Sequence, residues 1–230
     1  MHQDLKANNQ PTSVGSSQAI YTLGLGGVEI VVKNNNVDAK VVKNRRRLDR
    51  ILKYHSIEHN LRLNDFHIKL NNLSRSIPQI QFRNWLDARD CECRYKYLDN
   101  GKEIKTSLRP DGYFELLYRK VMFPFFVELD MSTSNHAKLK AKFNSYVTFQ
   151  DKKIYQKIFN RDSFYVLFIT NSSRRLLNLH KIASKIQIGR FWFIDFNGTE
   201  KNLFFDEIWL PSGMSKPRSF FQTPKVRLVS

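Results

Sequence analysis

The chain has 230 residues, which fits one α/β domain with appendages or one domain plus a small module. Hydrophobic residues make up 41% and aromatic residues 13%, so a wholly disordered chain is excluded. The formal net charge is +17 and the isoelectric point about 9.9. The basic residues run through the body of the chain, so the expected partner is a polyanion, nucleic acid above all, whose phosphates Lys and Arg neutralise.

No apolar run reaches the ~18 residues of a membrane span, and the one at Val121–Val127 is broken by Pro124. The first residues lack the basic-then-apolar order of a signal peptide, so a cytoplasmic protein without membrane contact is expected. Cys91 and Cys93 stand two apart on a predicted strand, a poor geometry for a disulfide, and are expected to be reduced.

In chain order, residues 1–19 are polar and are predicted to form a flexible N-terminus. Ile20–Val32, around Gly24, Gly26 and Gly27, reads as a β-hairpin that would suit the wing of a winged helix. A basic stretch follows with Arg45, Arg46, Arg47, Arg50 and Lys53, so 20–54 is predicted to be a winged-helix remnant and linker. Leu63, Phe66, Leu70 and Leu73 recur at helical spacing and predict a helix over Ser56–Asn72. Strands are predicted at Gln79–Trp85, Glu92–Tyr97, Gly112–Tyr118 and Phe123–Met131, with Asn100–Gly101 as a hairpin turn between the second and third. Lys138–Phe149 reads as a helix, Phe164–Thr170 as a strand buried on both faces, Ser172–Ile186 as a helix and Phe191–Phe196 as a strand. Trp85, Trp192 and Trp209 are expected in the core. The core should span 55–210, with 211–230 as a basic tail. The order of elements predicts an α/β mixed sheet flanked by helices.

The acids carry the chemistry. Asp111 precedes a strand, and sixteen residues separate it from Glu128 in Phe126-Val127-Glu128-Leu129-Asp130. Alternation along a strand turns Glu128 and Asp130 to one face and Val127 and Leu129 to the other. Carboxylates on a half-buried face require a cation or a basic partner. With Asp111 on a neighbouring strand, the three would suit Mg2+ or Mn2+, which prefer oxygen ligands and can activate a phosphodiester. The alternative is that Asp111 caps a turn and that Glu128 and Asp130 make salt bridges at a sheet edge.

These residues resemble the PD-(D/E)XK nuclease signature, and the chain is similar, more closely, to the replication-relaxation family of plasmid and mobile-element proteins, which includes MobC-type relaxases related to restriction endonucleases. The resemblance runs through His59-Asn60-Leu61-Arg62-Leu63-Asn64-Asp65, Arg109-Pro110-Asp111-Gly112, Glu128-Leu129-Asp130 with Ser132-Thr133, Lys142 and Tyr146, Tyr165–Thr170 with Arg174 or Arg175, and Tyr21–Gly27 as a wing. It implies a restriction-endonuclease-like core after a winged-helix fragment. It further implies a metal-dependent DNA endonuclease or nickase in which Asp111, Glu128 and Asp130 hold the ion. Because Asp130 stands where the signature has Lys, the resemblance points to Lys142, or Lys138 one turn earlier, as the cation at the phosphate. A catalytically silent DNA-binding accessory protein, or a subunit of a larger mobile-element nucleoprotein complex, is the alternative.

Three further readings concern single residues. Glu58 is a candidate fourth metal ligand. His55-Ser56-Ile57-Glu58-His59 matches an inverted zinc-protease pattern, of a kind that also arises by chance. Tyr146 is either a covalent nucleophile or, as its place on an apolar stripe favours, a core tyrosine with its hydroxyl near the site. Arg45, Arg46, Arg47, Arg50, Lys53, Lys138, Arg174 and Arg175 are candidate phosphate contacts.

Overall fold

The computed structural model describes residues 24–35, 37–49, 54–132 and 134–221. It divides into an N-terminal unit ending at Glu58 and a second unit beginning at His59.

In the first unit, α1 (Leu25–Asn35) and α2 (Ala39–Asp49) form a helix pair. Asp38 caps α2 by accepting the Lys40 amide at 2.7 Å, and Val28 of α1 and Val42 of α2 are buried. This corrects the wing-like hairpin expected from residue 20 onward: Leu25–Asn35 is helical, and residues 20–23 lie outside the described ones. The β-branched run Val28-Glu29-Ile30-Val31-Val32 has strand propensity, but a partner helix that buries one stripe outweighs so weak a preference.

The second unit is mixed α/β and is compatible with a restriction-endonuclease-like arrangement. Its sheet has six strands in the order β1-β4-β5-β6-β7-β8, namely Ile80–Asp87, Gly112–Tyr118, Val121–Asp130, Tyr165–Thr170, Phe191–Asp195 and Leu210–Pro211. The pairs β5/β6 and β6/β7 are parallel and the rest antiparallel. A separate two-stranded ribbon joins β2 (Cys93–Asp99) to β3 (Lys102–Leu108) through Asn100–Gly101, both at positive φ as a tight hairpin turn requires. The hairpin turn is therefore where it was expected, but its second strand is Lys102–Leu108, which the sequence pattern did not disclose.

One face of the sheet packs Phe114, Leu116, Phe125, Val127, Leu129, Leu167 and Ile169 against Leu63, Phe66 and Leu70 of α3 (Tyr54–Ser76) and against residues 203–221. The other carries Tyr113, Phe126, Val166, Phe168, Phe191 and Phe193 under α4 (His136–Asp151), α5 (Ile154–Phe159), α6 (Ser173–Ser184) and the inner side of the ribbon. Strand β6 is buried on both faces, as a central parallel strand must be. Asn135 and Ser172 cap α4 and α6 with their side-chain oxygens.

The expected tail beyond residue 210 is corrected as far as Phe221. Arg218 bridges to Trp209, Phe220 stacks on Trp192 at 3.9 Å, and Phe221 is buried beside Tyr118. The aromatic pair fills a slot on the sheet, and the local Pro, Ser and Lys content does not prevent that. Residues 222–230 lie outside the described ones. Trp209 is fully buried and donates to the Leu203 carbonyl, whereas Trp85 is half-buried and stacks on His67 at 4.1 Å.

Candidate functional site

The β4–β5 hairpin builds the centre. Its register sets Gly112 opposite Val127, and the Asp111 amide bonds the Val127 carbonyl at 3.0 Å. The Asp111 carboxylate then accepts the Leu129 amide at 2.7 Å. Asp111 thus grips the backbone on both sides of Glu128. Alternation on β5 turns Val127 and Leu129 into the α3-side core and Glu128 and Asp130 toward α4 and α6.

Each carboxylate has partners supplied by the chain. Glu128 is buried, takes the Tyr146 hydroxyl at 2.5 Å and forms an ion pair with Lys142. Asp111 faces the Nε2 of His59 at 3.2 Å. Asp130 is gripped from two sides by Arg175, with Nε at 2.5 Å and a terminal nitrogen at 3.1 Å, and the same guanidinium donates to the Ser134 carbonyl at 2.7 Å. Asp111, Glu128, Lys142, Tyr146 and His59 are brought together, while Asp130 is committed to α6.

The electrostatics follow from this packing. Burial pushes the Glu128 carboxyl up to about 7, and the nearby Asp111 charge adds to the rise against the opposing pull of Lys142 and Tyr146. Burial works against a charged Asp111 too, but the His59 hydrogen bond, the Lys142 charge and the Leu129 amide outweigh it and hold that carboxyl below its usual range. The Asp111 hydrogen bond likewise raises His59 against its own burial. Lys142 is penalised by burial, yet Glu128, Asp111 and Asp130 together keep its ammonium charged above the ordinary lysine range. All three acids therefore act on one ammonium. Tyr146 is fully buried and its pKa is raised well above normal, which fits a core tyrosine that orients Glu128 better than an attacking phenolate.

The remaining candidates fall elsewhere. Lys138 and Arg174 are exposed near the starts of α4 and α6. Arg175, expected as a phosphate contact, is instead occupied by Asp130 and Ser134. Arg45, Arg46 and Arg47 fall within α2, while Arg50, Lys53 and Thr133 lie outside the described residues. Glu58 is half-buried on α3 and belongs to the N-terminal unit. His59 is the site residue whose role had gone unassigned, and its signal was the first stretch of the family resemblance.

Among the described residues no group of three or more His, Cys, Asp or Glu side chains could hold a metal ion. Asp130 is unsuited to such a role because Arg175 already takes both of its oxygens. Glu128 likewise has one oxygen on Tyr146 and the other on Lys142, so it could take an ion only in exchange for the Lys142 ammonium. Asp111, whose Leu129 and His59 contacts both fall on Oδ2, fits best, and hard divalent ions are commonly held by one or two carboxylates, with water and substrate phosphate completing the shell.

The fold is mixed α/β, and its acid-and-lysine centre on a strand hairpin is compatible with a restriction-endonuclease-like architecture. The chain matches the replication-relaxation family over residues 3–161 and belongs to that family. Membership carries a role in replication or transfer of mobile elements, and with it interaction with DNA. No curated protein and no solved structure gives a match. No helix among the described residues is long and apolar enough to cross a membrane.

Proposed function

We propose that this protein is a DNA endonuclease or nickase of a plasmid or other mobile element, dependent on Mg2+ or Mn2+. The observation that carries the reading is the convergence of Asp111, Glu128 and Lys142 at one end of the β4–β5 hairpin, in a chain of net charge +17. Asp111 and Glu128 would hold the ion, which when bound supplies charge for the phosphoryl oxygens and an activated water. Lys142 presents a permanently charged ammonium where negative charge develops on a phosphate. Tyr146 fixes the Glu128 carboxylate through its hydroxyl, and His59 fixes Asp111. Asp130 and Arg175 form a strut that locks the end of β5 to α6.

The test is conversion of supercoiled plasmid to nicked or linear form with Mg2+ or Mn2+, run beside Asp111→Asn. Metal-dependent product from the wild type and none from the variant is expected. Equal product from both, or none from either, refutes the reading.

A second reading draws on one observation: every acid of the centre already has a basic or hydroxyl partner within the chain. A DNA-binding accessory protein, alone or within a larger nucleoprotein complex, needs no more than that. Intact DNA binding with no metal-dependent product supports it.

A further inference from the structure

We propose that the outer face of the β2–β3 ribbon is a docking arm for duplex DNA, lying against the phosphate backbone and feeding the strand toward Asp111. The proposal rests on the reading of the protein as one that acts on DNA, and it adds a surface of different residues from the basic α2 stretch and the α6 arginines.

The ribbon is anchored on one side only. Cys93, Tyr95, Tyr97 and Leu108 turn inward to the aromatic cluster under α4, with Tyr95 5.2 Å from Phe149. Lys152 holds the far end by donating to the Leu98 carbonyl at 3.1 Å and resting over the Tyr97 ring. Alternation then turns Arg94, Lys96, Lys105 and Ser107 outward. Their exposure decides the matter: the side chains of Arg94, Lys96 and Lys105 are 77%, 68% and 82% exposed.

Charge makes this face costly without an anionic partner. Lys96 lies directly across from Lys105 in the register, and like charges at directly opposed positions repel. Glu103 is shared between them, at 2.9 Å from Lys96 and 4.0 Å from Lys105. Glu92 is likewise shared between Arg94 and Arg109. Four cations therefore share two carboxylates, and Arg94, Lys96, Lys105 and Arg109 line a shallow groove together with Ser107. A polyanion laid in that groove would relieve the repulsion and take up the surplus charge.

Shape and position complete the argument. A two-stranded ribbon has the width the major groove admits, and its lysines and arginines reach flanking phosphates. The chain leaves β3 at Leu108 and passes through Arg109 and Pro110 directly into Asp111, so the basic track ends at the acid centre.

The test uses the full chain and a fluorescent duplex of arbitrary sequence, followed by anisotropy over a range of salt. In Arg94→Ala/Lys96→Ala/Lys105→Ala the expected result is a Kd raised roughly tenfold or more at low salt. The dependence of log affinity on log salt should become shallower by about 2 to 3, from the ~0.9 released per phosphate contact. Arg119→Gln/Lys120→Gln, at the β4–β5 turn and so at the other end of β4 from Asp111, should leave both quantities close to wild type. An unchanged Kd and slope in the ribbon variant overturns the proposal, as does an equal loss in the turn variant, which would make net charge the cause. Duplex binding with no metal-dependent cleavage refutes the nuclease reading and leaves the ribbon standing. Failure of the wild type to bind any duplex refutes the reading of a DNA-acting protein, and the arm with it.

Discussion

Arg175→Met tests whether Asp130 is a strut of the fold. The Asp130 side chain is 7% exposed and Arg175 18% exposed, so water cannot replace the guanidinium without opening the junction of β5 and α6. Removing the cation strips three hydrogen bonds, two from the carboxylate and one from the Ser134 carbonyl. An uncompensated buried charge of this kind costs about 3–5 kcal/mol. A unit of this size loses about 2–4 °C of melting temperature per kcal/mol, which puts the expected fall at roughly 10 °C. Urea and thermal unfolding followed by circular dichroism would measure it. The companion variant Arg175→Met/Asp130→Leu removes both charges, and well-packed apolar replacements of buried pairs are often neutral, so it should recover most of the loss. A single variant that loses less than about 1 kcal/mol, or a double variant no better than the single, would show that the pair does not carry the junction and would return Asp130 to the list of possible metal ligands.

Tyr146→Phe leaves a buried Glu128 oxygen without its donor, and a loss of about 1–3 kcal/mol in urea unfolding is expected. Lys142→Met should cut cleavage by about 10²–10³, the scale of one lost electrostatic contact at a reacting centre, while duplex affinity stays within a few-fold of wild type. The His59–Asp111 pair predicts a pH dependence. His59 is raised above 6.5, so the stability it contributes is complete below pH 6.5 and is lost as pH rises through the folded value. In Asp111→Asn the histidine ring resonances should titrate lower than in the wild type, and an unchanged NMR titration would contradict the pairing.

The parts of the molecule legible in sequence are those whose pattern is local. Strand β5 announced itself because Val127 and Leu129 alternate with Glu128 and Asp130, and β6 because an apolar run of six residues has room only for a doubly buried strand. Strand β3 escaped notice because Lys-Glu-Ile-Lys-Thr-Ser-Leu offers few apolar residues, its outer face being turned to solvent. Helix α1 was misread because β-branched residues dominate it, and only its pairing with α2 decides the outcome. At the centre, the convergence of Asp111 with Glu128 follows from a hairpin register that eighteen residues of sequence nearly specify. Which cation each acid takes does not follow, because the Asp130–Arg175 partnership joins positions 45 apart. His59 lay in plain view, but its role depends on where α3 crosses the sheet.

The acids of the β4–β5 hairpin share a dependence on chain that has yet to be made when they emerge from the ribosome. Glu115, Glu128 and Asp130 take their cations from Arg161, Lys142 and Arg175, each encoded downstream of the hairpin. A nascent or truncated chain ending near residue 135 would present three carboxylates at sheet positions with none of these bases to meet them. The hairpin is therefore an unfinished half until α4, the segment after α5 and α6 bring in those bases.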